Sequence, residues 1–183
     1  MAGPGLVPQV LVASKKTGTQ IASFTTFTRV INDEDVVPIS APWMNTGMYL
    51  HIDALFGISN IITSTPTFQF QVKLGGQVVW TSDALTTKST ASSLLPCELD
   101  IKLRLDSIGK TSAAKVIGNG RFFCAAFNPT SGLLQAATPA VGTGFGSTAD
   151  DGSANLDFGL VCSASNASNA AICYRYIVTM PQY

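Results

Sequence analysis

Charge is scarce in this 183-residue chain. Only 12% of its residues are Asp, Glu, Lys or Arg, and 11 basic residues balance 11 acidic ones. An ordinary soluble domain carries about twice that share. A basic excess is what binds nucleic acid by counterion release, so no nucleic-acid partner is expected. Disorder needs high net charge and low hydrophobicity, whereas hydrophobic residues here reach 46%. A folded monomer of 19.2 kDa would expose roughly 8,400 Å², leaving about one charge per 380 Å². That is thin cover for a freely soluble monomer, and it favours a chain that buries surface in an assembly.

Other absences narrow the field further. Histidine occurs once, as His51, which removes most routes to a hydrolytic triad. His51 shares a strand face with Asp53, but no serine lies in a G-x-S-x-G setting. Cys97, Cys124, Cys162 and Cys173 show no CxxC spacing, so no zinc site is expected and buried free thiols are the default. No run approaches the roughly 18 apolar residues of a membrane span. The start, MAGPGLVPQVLVASKK, places no positive charge before its apolar stretch and is broken by Pro4 and Pro8, so it does not read as a secretory signal. No stretch combines helical periodicity with caps.

What fills the chain is strand chemistry, with 19 Thr and 17 Ser supplying most of its polarity. Ile21 to Ile31 is rich in aromatic and β-branched residues, which suit a pleated surface. Met48, Leu50, Ile52, Ala54 and Phe56 alternate with Tyr49, His51 and Asp53. Thr67 to Leu74 alternates too, and Gly75-Gly76 then joins it to Gln77–Thr81 as a two-residue hairpin. From Glu98 to Asp106, Leu99, Ile101, Leu103 and Leu105 point inward while Asp100, Lys102, Arg104 and Asp106 point outward. A half-solvated antiparallel strand has that pattern. Residues 82–95 read as a Ser/Thr loop. A strand over 114–127 reads as interrupted at Gly118-Asn119-Gly120, and two closing strands span 155–163 and 171–180.

Short strands punctuated by turns mean an all-β sandwich or barrel. Two connections too long for hairpins favour a jelly-roll-like antiparallel β-sandwich. The expected layout is an extended N-terminal arm over 1–18 and one domain over 19–183, with a long loop at 128–154.

The order of segments resembles the jelly-roll virion structural proteins of tailed phages. Gly47-Met48-Tyr49-Leu50-His51-Ile52-Asp53-Ala54-Leu55-Phe56-Gly57 is similar to one of their strands, and Thr67 to Gly76 to the strand and glycine turn that follow. Leu103 to Gly109 and Asn155 to Asn169 are similar to two later elements. Where that group tends to carry a tryptophan on the penultimate strand, this chain has Leu160-Val161-Cys162. The resemblance implies a non-enzymatic virion subunit without cofactors. A capsid cement or decoration protein made in the host cytoplasm and placed on the capsid surface is the first expectation. Its partners would be the major capsid protein or other virion subunits, and a homo-oligomer, as a trimer, fits the preference for closed symmetry. A receptor- or glycan-binding jelly roll on a tail or fibre is the alternative, with Trp43, Tyr49 and Trp80 as its aromatic patch. A small-virus coat protein ranks third, because the arm holds only Lys15 and Lys16.

Candidate chemistry is correspondingly sparse. Asp150 to Asp157 and Asn32 to Asp35 offer oxygens that a calcium ion could use, but both read better as turns. Gly142 to Gly146 has neither the helix nor the lysine of a phosphate loop. Asn166-Ala167-Ser168 fits a glycosylation pattern and reads as a turn. No catalytic, metal or cofactor residue is assigned. Interaction falls to Leu6, Val7, Val10, Leu11 and Val12 in the arm, which could add a strand to an open sheet edge. Leu133, Leu134, Val141 and Phe145 are the matching apolar points of the long loop.

Overall fold

A computed structural model describes residues 8–39, 47–60, 65–89, 92–107, 114–135, 141–142, 154–163, 166 and 168–181. Within them the chain forms β1 (Gln9–Ala13), β2 (Ile21–Ala22), β3 (Thr28–Arg29), a single 3-10 turn at Asp33–Asp35, and β4 (Val37–Ile39). The body follows with β5 (Tyr49–Asn60), β6 (Thr67–Leu74), β7 (Gln77–Thr81), β8 (Leu85–Thr86), β9 (Ser92–Ser107) and β10 (Ala114–Cys124). The last elements are β11 (Ser131–Gln135), β12 (Val141–Gly142), β13 (Ala154–Cys162) and β14 (Ala170–Met180). No α-helix occurs among the described residues.

Two antiparallel sheets form a sandwich. The larger runs β1-β14-β5-β9-β10-β11, with β2 on β14 and β12 on β10; the smaller runs β3-β13-β6-β7, with β4 on β13 and β8 on β6. β5 and β6 pass from one sheet to the other alongside β14 and β13, since β5 pairs with β14 and β6 with β13. That double ribbon wound across both sheets is the jelly-roll element of the fold. Of the other pairs, β6–β7 and β9–β10 are local hairpin partners.

Alternation explains why these segments pair as they do. Along β5, Leu50, Ile52, Ala54, Phe56 and Ile58 are buried, and along β9, Cys97, Leu99, Ile101, Leu103 and Leu105. β6 answers from the other sheet with Phe68, Phe70, Val72 and Leu74, and β13 with Leu156, Phe158, Leu160 and Cys162. A one-residue slip in any of them would turn the apolar row to water, so register is strongly specified. Phe70 and Phe158 stack at 6.2 Å, with Phe56 at 5.9 and 5.6 Å from them and Tyr176 at 5.9 Å from Phe158. Burying each such ring is worth about 2–3 kcal/mol. The hairpin turn is as expected, with Gly75 at φ 58° and Gly76 at φ 81°, angles a two-residue turn of the primed type requires.

Four local expectations are corrected. Ile21 to Ile31 is not one strand: the chain bends after Ala22, where Ser23 has φ 57°, and pairs only at β2 and β3. Residues 82–95 are not a plain loop, because β8 pairs with β6 and β9 already begins at Ser92. β10 is not interrupted at its glycines. A Cβ on Gly118 would lie 2.4 Å from Leu103 and 2.6 Å from Trp80, so this glycine makes room for the indole rather than breaking the strand. The 128–154 segment, expected without strands, contributes β11 and β12 to the larger sheet.

The arm contributes Gln9–Ala13 to the larger sheet. β1 lies antiparallel on β14 of its own chain, with Gln9 opposite Met180 and Ala13 opposite Ile177. Val10 is exposed, while Leu11 and Val12 pack against the core.

Candidate functional site

Among the described residues the inner faces of the sandwich pack closely. The void lined by Met48, Leu50, Leu74 and Leu103 amounts to about 10 Å³, room for one water at most. A ligand-sized site among the described residues therefore belongs to a surface, and the outer face of the larger sheet carries several charged rows.

Strand register orders that face in rows. Tyr49 stands opposite Arg104, and Arg104 opposite Ile117; in the next row His51 meets Lys102, and Lys102 meets Asn119. Asp53, Asp100, Arg121 and Leu133 form the third row, and Leu55, Glu98, Phe123 and Ser131 the fourth. Cross-strand neighbours are the units that interact on a pleated face.

The third row is an ion-pair network. The two oxygens of Asp100 take His51 Nε2 at 3.1 Å and Arg121 Nη2 at 3.2 Å. Arg175 Nη2 donates to Asp53 at 2.6 Å. His51 shares its strand face with Asp53, its neighbour along β5. Its partner is instead Asp100, directly reachable on β9. The acid is held by Arg121 as well, so the pair forms part of a surface network.

At the first two rows the face opens into a groove of about 310 Å³, lined by Tyr49, Lys102, Arg104, Ile117, Gly118 and Asn119. It combines one aromatic ring, an aliphatic wall and several hydrogen-bond donors. Pockets that bind small polar molecules have that mixture, and this volume lies at the lower end of their range. β9 places Lys102 and Arg104 two residues apart on one face, and continuous β10 brings Ile117 and Asn119 beside them. The alternation of residues 98–106 already pointed both cations outward, whereas the supposed break at Gly118 hid their partners on β10.

The predicted interaction residues separate. Leu133 is 67% exposed on β11 and Val10 is 58% exposed on β1, at opposite edges of the larger sheet. Leu134 lies in β11 and Val141 in β12, where the backbones pair with Gly120 and Lys115. Leu6, Val7 and Phe145 lie outside the described residues. Phe123, 58% exposed, is diagonal to Leu133 and was missed; its odd-numbered place beside buried Phe122 was the available signal.

Of the aromatic patch expected for a glycan binder, only Tyr49 lies on this face. Trp80 is fully buried, seated against Gly118 from the opposite sheet, and Trp43 is outside the described residues. Acidic residues of both calcium candidates are already engaged, and Asn155 to Asp157, read as part of a turn, lie in β13 instead. Arg29 grips both oxygens of Asp157 at 2.8 and 2.6 Å and also pairs with Asp33, while Lys16 takes Glu34 at 2.9 Å. Those carboxylates, Asp157 first, raise the pKa of Arg29, and Glu34 raises that of Lys16. Residues 150–153 of the other calcium candidate lie outside the described residues. Asn166 Oδ1 accepts the Ser168 N–H at 2.8 Å, an Asx turn.

No protein-family model matches the chain, and no curated protein is similar to it in sequence. Among solved structures, it aligns with the CBM2 module of the evolved Dit of Lactobacillus casei BL23 phage J-1. The two share 8% identity over 98% of this chain and 99% of that one, with a TM-score of 0.42.

Proposed function

We propose that the chain is a non-enzymatic module of a phage particle that recognises a carbohydrate in the groove between Tyr49 and Asn119. One observation carries the reading: a single aromatic ring stands beside Lys102, Arg104 and Asn119 in a shallow trough on the outer sheet face. A sugar offers an apolar face of C–H groups to a ring and a rim of hydroxyls to such donors, so both halves of its surface are satisfied at once. The place in a virion rests on the resemblance of residues 47–57, 67–76 and 155–169 to phage virion strands. A glycan array probed with the purified protein tests the reading. The wild type is expected to bind a defined set of glycans, Y49A to lose at least tenfold in affinity, and N119A to lose less. Failure of the wild type to bind any glycan overturns it.

Capsid cement is a second reading, supported by different residues. Val10 on edge strand β1, and Leu133 on edge strand β11 with Phe123 diagonal to it on β10, expose more than half of their surface, and exposed apolar patches mark interaction surfaces. In that reading they bridge neighbouring capsid subunits, and the module works as a homo-oligomer. Shells lacking the protein should then bind it and gain heat resistance, whereas unchanged heat resistance rejects the idea.

A further inference from the structure

Cys97 and Cys124 are cross-strand partners on β9 and β10, and both are buried on the inner face of the larger sheet. The Cys124 N–H donates to Thr130 O at 2.6 Å and its carbonyl accepts from Phe127 N at 3.2 Å. Both backbone groups therefore point away from β9. That makes Cys97–Cys124 a non-hydrogen-bonded pair, the kind whose Cα atoms approach to about 4.5 Å. Such a separation lies within the span a disulfide can bridge.

The two thiols are also unlike. Burial first, then its hydrogen bond to Cys124, pushes the Cys97 thiol well up. Cys124 is lowered: it accepts that bond and the backbone N–H groups of Ala126 and Phe127 at the turn after β10, with Lys88 close by. Each of these favours sulfur as the thiolate, with the bond from Cys97 the largest, while burial opposes them. Cys162 and Cys173 lack this arrangement. They stand opposite Phe68 and Phe56 in register, and the Cys173 thiol donates to Arg175 O at 3.3 Å.

We propose that the cross-strand pair Cys97–Cys124 closes a disulfide that staples β9 to β10: local opening of the sheet admits peroxide to Cys124, and Cys97 resolves it. The Cys124 thiolate attacks one oxygen of hydrogen peroxide. The O–O bond breaks, hydroxide leaves and takes a proton as water, and Cys124 becomes a sulfenic acid. The Cys97 sulfur then attacks the Cys124 sulfur. The S–O bond breaks, and the departing hydroxide leaves as water with the Cys97 proton. Two thiols are oxidised and one peroxide is reduced to two waters. The product holds the centre of the larger sheet covalently once the protein meets an oxidising environment. It stands independently of any carbohydrate binding.

Treating the full chain with millimolar hydrogen peroxide tests this. Two of the four free thiols should disappear with a loss of two mass units, and non-reducing peptide mapping should join Cys97 to Cys124. The melting temperature should rise by about 5 °C or more and return with dithiothreitol. In C97S, dimedone should label Cys124 instead. Four intact thiols after prolonged exposure, or first oxidation at Cys162 or Cys173, overturn the proposal. The wild-type mapping decides even if C97S folds poorly.

Discussion

Asp53 on β5 and Asp100 on β9 stand directly opposite each other on the solvent face of the larger sheet. Like charges in that relation repel, and here each is covered from its other side, Asp53 by Arg175 and Asp100 by Arg121, with His51 of β5 on the second oxygen of Asp100. Removing a cover should therefore expose the repulsion. R175A is expected to destabilise the fold by about 0.5–1 kcal/mol, modest because both partners are roughly half exposed. Adding D53N should restore most of that loss. Urea denaturation of the four proteins in the double-mutant cycle measures it, and simple additivity would remove the repulsion from the account. The effect should shrink in high salt.

The Trp80 indole and a Leu103 methyl together occupy the space a side chain at Gly118 would need. G118A should cost about 1–3 kcal/mol through overpacking, lowering the melting temperature by about 2–12 °C. W80F should lessen that penalty, because the smaller ring leaves room for the added methyl. W80A should cost about 3–5 kcal/mol as a core truncation. Thermal melts of the wild type, G118A, W80F, G118A/W80F and W80A read this directly. If G118A melts as the wild type does, the indole does not fill that space in solution.

The same two residues show how far the sequence could be read. Strict alternation in β5, β6 and β9 was legible because one face of each is buried and the other wet, and that pattern carried the sandwich and the outward placement of Lys102. The Gly75-Gly76 turn was legible for a similarly local reason. Gly118 was not. A glycine that breaks a strand and one that admits a tryptophan from the opposite sheet look alike along the chain, and only the packing of two sheets separates them. Trp80 was misjudged for the same reason, since an aromatic residue on a short strand can face either way. The network of His51 with Asp100 depends on the register between β5 and β9, which no single strand encodes.

Alkali should weaken the fold through Cys173 and Tyr176. Burial pushes the Cys173 thiol up to about 12 from 9.0, and burial also raises the Tyr176 phenol above its ordinary 10.0. Each keeps its proton in the folded state while the unfolded chain gives it up. The unfolded state then binds fewer protons, so stability falls as pH rises. Full stability is expected below about pH 9, with progressive loss toward pH 12 in melts recorded along a pH series. Tyr176 adds a second effect, because its hydroxyl is buried without a hydrogen-bond partner among the described residues. Y176F should be more stable than the wild type by about 1 kcal/mol at pH 7 and should lose less at high pH. A Y176F protein with the wild-type alkaline profile would leave Cys173 as the main cause.

Phe123 and Leu133 make a prediction that separates stability from association. They sit diagonally across β10 and β11, on the outer face, and each exposes more than half its surface. Replacing both with serine removes little buried area, so F123S/L133S should melt within about 1–2 °C of the wild type. Association should respond differently. A sparse charge complement and zero net charge leave little repulsion to keep copies apart, and this exposed pair adjoins the β11 edge. The wild type is expected to elute as an oligomer in size exclusion with light scattering, and the double variant to shift toward monomer. V10S, at the opposite edge, serves as the comparison: if it dissociates the oligomer while F123S/L133S does not, the contact lies along β1 instead.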